Sequence, residues 1–382
     1  MVEYFINYFS NGEFIKDIFL IASGAMISLL SVKFNTKIKL LKIKKGIEST
    51  GVNFSKSGII SLVNSYPSLH KENIHLFNSG ETYKLSLPNS QYVKTVSVDN
   101  LFDGNVTFEE MGNTMNILEF EKLVSKHKKK VEDEFRKRKE SGRPWFNNEK
   151  FGIRTVEITK TDDSFEHDII TLYFYKTDYF THKVMRSIYH ELQEKGHNIA
   201  DFSRVEDVEF DKYYPFLTSF GIDSLLIVRN SKKIPYIFLA KRSKYLNNMN
   251  TDLWHVSMNE GLSITDLDVD NENIISLDRC VNRGYREELG IKNLYRINKN
   301  EYKDLFMTKD NFEMGITTIA EVDISVEDLK TCYKGAEDSS LETVEYKLIP
   351  YSSNEIKKFL QSNESTTEVL RYCLTMTLSK MI

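Results

Sequence analysis

Proline is scarce in this chain, six in 382 residues, so no long proline-rich linker separates its parts. Cysteine is scarcer. Cys280, Cys332 and Cys373 are odd in number, far apart and without CxxC spacing. That argues against a disulfide framework and a cysteine zinc site, and fits a reducing compartment. An excess of one charge sign is also missing. The formal net charge is −4, too near neutral for a general binder of nucleic-acid polymers. His167, His182 and His197 lack HExxH-like spacing and point to no metal. No internal repeat or low-complexity tract interrupts the chain. What is present, 41% hydrophobic and 28% charged residues, suits an ordinary globular core. The length allows roughly two or three domains.

An uncharged run of fifteen residues, 18–32, is followed by Lys33 and Phe34. It is shorter than the roughly 20 residues that span a bilayer comfortably, but longer than most buried core helices. Lys33, Lys37, Lys39, Lys42, Lys44 and Lys45 crowd its C-terminal side, while its N-terminal flank is mixed. This asymmetry predicts one transmembrane segment bounded by Ile18 and Phe34, with the bulk of the protein on the cytoplasmic side of the inner membrane. Residues 1–45 are then a membrane anchor with a basic juxtamembrane stretch.

Residues 46–205 read as an α+β middle region. Short apolar runs at 59–63 and 93–98 suggest strands broken by turns. Residues 117–143 are helical in character and heavily charged, with Lys128, Lys129 and Lys130 interleaved among acids, which favours a solvated face over a ligand-facing one. Residues 153–158 and 169–175 alternate like strands. Thr177 or Asp178 then caps a helix running to Glu194 and ending at Gly196. Tyr173, Phe174, Tyr175, Tyr179 and Phe180 form an aromatic group more typical of core than of base stacking.

Residues 206–382 form the third unit. Runs at 221–229 and 235–242 make a hairpin across Asn230, Ser231, Lys232 and Lys233. Strands are expected at 314–322 and 342–351, then helices at 354–361 and 366–381. Residues 277–291 stand out. Leu277, Cys280 and Val281 recur at helical spacing, Arg283, Glu287 and Glu288 gather within two turns, and Gly290 suits a left-handed C-cap. Adjacent carboxylates one turn from an arginine are a pattern that can hold a hard divalent cation.

This stretch resembles the Nudix box, matching it at Arg283, Tyr285, Glu287, Glu288, Gly290 and Ile291. Gly284 stands where the family usually has its first glutamate, and Ile275 where an upstream glutamate is expected. Trp254 and Gly261 echo the Trp-x-x-Pro-x-Gly-Gly segment ahead of the box, while Ser257 and Asn259 depart from it. The resemblance implies Mg²⁺ held by Glu287 and Glu288, which would also be the catalytic pair in an active enzyme. Arg283 would orient them, with Glu342 or Glu345 as the candidate for a further carboxylate. Arg242, Tyr245, Trp254 and His255 are a basic and aromatic set suited to a phosphorylated base. The fold class expected overall is α+β: an N-terminal single transmembrane helix, an α+β middle region, and a C-terminal Nudix-like α/β/α sandwich with a mixed sheet.

A membrane segment joined to a degenerate Nudix box resembles the transmembrane-Nudix effectors of cyclic-oligonucleotide-based antiphage (CBASS) systems. That resemblance implies an antiviral effector that binds a cyclic oligonucleotide second messenger, self-associates, and compromises the membrane in abortive infection. The alternative is a membrane-anchored Nudix hydrolase of nucleoside diphosphate derivatives. A scaffold whose Nudix fold only binds another protein is a third reading.

Overall fold

The computed structural model describes residues 59–61, 75–78, 83–86, 92–96, 107–142, 145–160, 168–197, 199, 209–243, 252–267, 275–292, 297–336 and 343–381. The expected fold class is corrected at its first element. Among the described residues no helix is long and apolar enough to cross a membrane, and the stretch between Ile18 and Phe34 lies outside them. The longest described helix has 21 residues, but apolar side chains line only its inner face. What the chain shows is a mixed α/β architecture built on sheets.

The strands are β1 (Ile59–Ser61), β2 (His75–Asn78), β3 (Tyr83–Ser86), β4 (Tyr92–Val96), β5 (Glu149–Lys160), β6 (Asp168–Asp178), β7 (Phe220–Arg229), β8 (Pro235–Arg242), β9 (Trp254–His255), β10 (Met258–Gly261), β11 (Ile297–Thr308), β12 (Glu313–Ser325) and β13 (Thr343–Pro350). The helices are α1 (Phe108–Met115), α2 (Phe120–Glu140), α3 (Tyr179–Glu194), α4 (Leu277–Leu289), α5 (Val326–Lys334), α6 (Ser353–Gln361) and α7 (Glu368–Met381). The large sheet runs β1-β11-β12-β7-β8-β13, with β10 beside β7 and β9 beside β8. It is mixed: β7 and β12 run parallel at its centre, and the other pairs are antiparallel. A smaller sheet, β4-β6-β5, holds the middle region together.

Period-two alternation decides which layer each strand residue joins. On β7, Phe220, Ile222, Leu226 and Val228 face one buried cluster, and Leu225 and Ile227 face another. The first face is covered by α4 and α5, through Cys280, Val281, Tyr285 and Leu329. The second is covered by α6 and α7, through Ile356, Phe359, Leu370 and Leu374. Each large apolar side chain buried this way contributes roughly 1.5–3 kcal/mol.

The first cluster does not stop at the large sheet. It continues through Phe151 and Ile153 of β5, Phe174 and Tyr175 of β6, and Val184, Met185 and Ile188 of α3. Phe174 meets Phe220 edge to face at 5.4 Å. Phe174 and Tyr175 are therefore core, as their composition suggested. Backbone bonds join the regions too: Phe151 N donates to Leu262 O and Ile153 N to Leu217 O. The edge of β5 thus lies alongside the segment that leads into α4.

Candidate functional site

Helix α4 is amphipathic, and burial of Leu277, Cys280, Val281, Gly284, Tyr285, Glu288 and Leu289 fixes its rotation. Ser276 caps its start by accepting from Arg279 N, and Gly290 closes it at φ 67°, in the left-handed region. Tyr285 places its hydroxyl beside Ser224 of β7, which also accepts from Thr318 Oγ1. The helix is pressed so closely on β10 that a side chain at position 284 would have to displace Met258. A Cβ there would lie 2.7 Å from Met258 Sδ and 3.0 Å from Glu260 Cβ. Close packing therefore accounts for glycine at the position where the Nudix box carries a glutamate.

Arg283 is the hub. It donates to both carboxylate oxygens of Asp266, from Nε at 3.0 Å and from Nη2 at 2.9 Å. It also reaches Gly261 O at 2.8 Å, Glu260 Oε1 at 2.9 Å and Glu287 Oε2 at 3.4 Å. Burial works against its charge, but the Asp266 bonds and the Glu260 carboxylate outweigh that and drive its pKa up. Burial raises the Glu260 pKa, opposed by Arg283 and by Lys150 of β5. Cys280, buried beside this group, has its thiol pKa pushed well up by burial and then by Asp266, so it is not a poised nucleophile.

The two box acids diverge. Glu287 is partly exposed and clasped by Arg283 and by Arg286, the latter at 2.8 Å. Glu288 is buried and accepts from the Asn259 backbone N–H at 3.1 Å. Asn259 in turn donates from Nδ2 to Asp223 Oδ1 at 2.8 Å.

Asp223 opens a second polar cluster, on the opposite face of the sheet. His255 Nε2 lies 3.9 Å from Asp223 Oδ1, while its Nδ1 meets Thr367 Oγ1 at 2.8 Å, at the start of α7. His255 Nε2 is buried without a hydrogen-bond partner. Burial raises the Asp223 pKa to about 7 against the pull of Asn259 and Arg242. Burial, reinforced by Arg242, holds the His255 pKa well below its ordinary value. Both groups thus tend toward their neutral forms.

The structure brings some of the expected residues together and separates others. Arg283 and Glu287 touch. Arg242 and His255 belong instead to the Asp223 side. Trp254 is 3% exposed, packs in the second core cluster and donates Nε1–H to Glu364 Oε2 at 2.6 Å. Tyr245 and Glu342 lie outside the described residues, and Glu345 pairs with Lys241 at 3.6 Å. Asp266, Glu260 and Asp223 escaped the sequence reading. Only Asp223 carried a signal, as a lone acid inside an apolar strand.

The divalent ion that the box resemblance implies does not fit these residues. A carboxylate at 284 would have to displace Met258, Glu287 is held by two guanidinium groups, and Glu288 accepts from backbone. Among the described residues no group of three or more His, Cys, Asp or Glu side chains is placed to hold a metal ion.

No protein-family profile and no curated protein matches the chain. Among solved structures it is similar to the Nudix hydrolase RenU from M. smegmatis, at 10% identity over 40% of this chain and 80% of that one, with a TM-score of 0.25. It is also similar to a MutT protein from Methanosarcina mazei Go1, at 19% identity over 42% and 91% of the chains, with a TM-score of 0.23. Scores this low do not establish a shared fold, so the site must be read from its own residues.

Proposed function

We propose that residues 206–382 are a Nudix-like domain that receives a phosphorylated nucleotide as a signal and does not turn it over. Within that reading the chain is an effector of a cyclic-oligonucleotide-based antiphage system, and the ligand is a cyclic oligonucleotide made by a partner cyclase. One observation carries it: α4 keeps the box arginine and both late glutamates but packs against β10 where the first glutamate would project. A hydrolase site that has lost a ligand position to packing favours binding over turnover. The proposal needs no membrane-crossing helix.

Binding controls activity only if the ligand prefers the associated state. Driving the chain from almost wholly resting to almost wholly associated takes roughly 10⁴-fold preference, about 5.5 kcal/mol. The test mixes the full chain with cyclic di- and trinucleotides and follows binding by calorimetry and mass by light scattering. A binding isotherm with a rise in mass is the expected result. No binding to any of them, alongside Mg²⁺-dependent hydrolysis of a linear nucleoside diphosphate derivative, would overturn the proposal in favour of an enzyme.

A further inference from the structure

The first turns of α3 carry side chains that the box does not use. Tyr179, Lys183 and Arg186 recur at spacings of four and three, so they share one face of the helix. The chain at 145–148 is pinned beside them, because Tyr179 N donates to Asn148 O at 3.0 Å and Phe180 N to Asn147 Oδ1 at 2.7 Å. Half-buried Trp145 thereby meets Tyr179 edge to face, with ring centres 5.9 Å apart. Lys183 Nζ lies 4.6 Å from the centre of the Trp145 ring, and Lys150 Nζ of β5 lies 5.8 Å from the centre of the Tyr179 ring. Two ammonium groups are thus held over two rings that touch each other.

Neither ammonium has a carboxylate of its own. Both lysines are half-buried, and among the described residues neither ammonium makes a hydrogen bond or ion pair. Two nearby acids are engaged elsewhere, Glu313 with Arg186 at 3.2 Å and Glu260 with Arg283 at 2.9 Å. Glu134 of α2 acts on Lys183 only from beyond ion-pair distance. His182, on the inner side of α3, has its Nδ1 3.0 Å from Thr218 Oγ1, and burial and then Lys150 hold its pKa well below its ordinary value. A charge taken partly out of water is normally paired. Contact with a ring holds a cation in place but does not neutralise it.

We propose that Lys150 and Lys183 form a phosphate-binding subsite on the middle region: their ammonium groups take up a phosphate of the ligand, and Tyr179 and Trp145 hold them in place for it. Arg138, whose Cζ lies 4.7 Å from the centre of the same Trp145 ring, adds a third cation. The subsite adjoins the box through Gly261. The carbonyl of Gly261 accepts from Arg283 Nη2, and a Cβ there would stand 2.7 Å from Lys150 Nζ. This deepens the proposed function and rests on it for one point only, that the phosphate belongs to a nucleotide. The charge argument stands without it.

The test titrates the full chain, at low salt and in chelator, with inorganic pyrophosphate and separately with cyclic di- and trinucleotides. Tryptophan emission reports on the subsite, since the chain's other tryptophan, Trp254, is buried in the second core cluster. The expected result is saturable binding that changes emission in wild type and not in Trp145→Phe. Lys183→Met and Lys150→Met should each weaken binding, followed by calorimetry, about tenfold. Lys183→Arg keeps the charge and should bind like wild type. Lys129→Met removes an exposed charge from α2 and should leave binding unchanged. Should Lys150→Met fail to fold, Lys183→Met decides. Nucleotide binding that the lysine variants do not weaken would overturn the inference and leave the proposed function standing. No binding of any probe, or an equal loss in Lys129→Met, would also overturn the inference. Pyrophosphate binding that the lysine variants weaken, with no binding of any cyclic oligonucleotide, would uphold the subsite and count against the proposed function.

Discussion

The two faces of the large sheet solve the same problem in opposite ways. On the α4 side, Arg283 and Glu260 are partly buried around the fully buried Asp266, and each charge is bonded to another. On the α7 side, Asp223 and His255 are buried 3.9 Å apart with no bond between them, and burial pushes both toward neutrality. A polar group in a protein interior keeps its charge only where a partner offsets desolvation. The face built on ion pairs is the one that carries the stretch resembling the Nudix box. The other holds its polar groups without full charge, where β7, β9 and the start of α7 meet.

The comparison is broken most severely by stranding Arg283. Asp266→Ala leaves a partly buried guanidinium with Glu260 and a more distant Glu287, and should cost about 3–5 kcal/mol of stability, read from denaturant midpoints. A loss under 1 kcal/mol would mean that the α4 face does not depend on paired charge. Restoring the missing box residue is next. Gly284→Glu forces a side chain into Met258 and adds an acid beside Glu260, and should cost about 3 kcal/mol while creating no hydrolase activity. A stable Gly284→Glu chain with new Mg²⁺-dependent turnover would show that packing did not select the glycine.

Local chemistry made much of this fold legible. The 153–158 and 169–175 alternations became β5 and β6, Asp178 caps α3 by accepting from Thr181 N, and the Asn230 turn joins β7 to β8. Gly290 closes α4 in the left-handed region as its position suggested. These signals work because strands, caps and turns are set by residues a few positions apart. The site was less legible because its pairings are tertiary. Asp266 meets Arg283 across seventeen positions, and Lys150 approaches Gly261 from a different sheet. Trp254 shows the remaining ambiguity: an indole with one polar atom suits a ligand or a core, and only the Glu364 bond and its burial show which role this one has. The membrane-helix expectation rested on an apolar run that lies outside the described residues, and no described helix takes that role.

The α7 face yields a pH signature. A carboxyl whose folded pKa is raised holds a proton in the native state that the unfolded chain has released. For Asp223 the destabilisation is absent below the ordinary carboxylate range, grows as pH rises toward about 7, and is complete above it. Its full size is a few kcal/mol at most. Asp223→Asn removes the titration, so its stability should fall less than that of wild type between about pH 5 and about pH 8. Parallel pH profiles for the two chains would mean that Asp223 keeps its charge in the fold.

The smallest effect should be at Glu287, and there the comparison becomes functional. Its carboxylate is partly exposed and its partners are guanidinium groups that solvent also reaches, so Glu287→Gln should change stability by less than about 1 kcal/mol. Arg283 retains Asp266 and Glu260, so the hub stays intact. An enzyme using this acid should lose turnover almost completely. A domain that only receives a signal should bind its cyclic oligonucleotide within a few-fold of wild type and associate as before. Measuring binding, mass and hydrolysis on the same Glu287→Gln preparation therefore separates the two uses of the α4 face, because the substitution removes one carboxylate and disturbs almost nothing else.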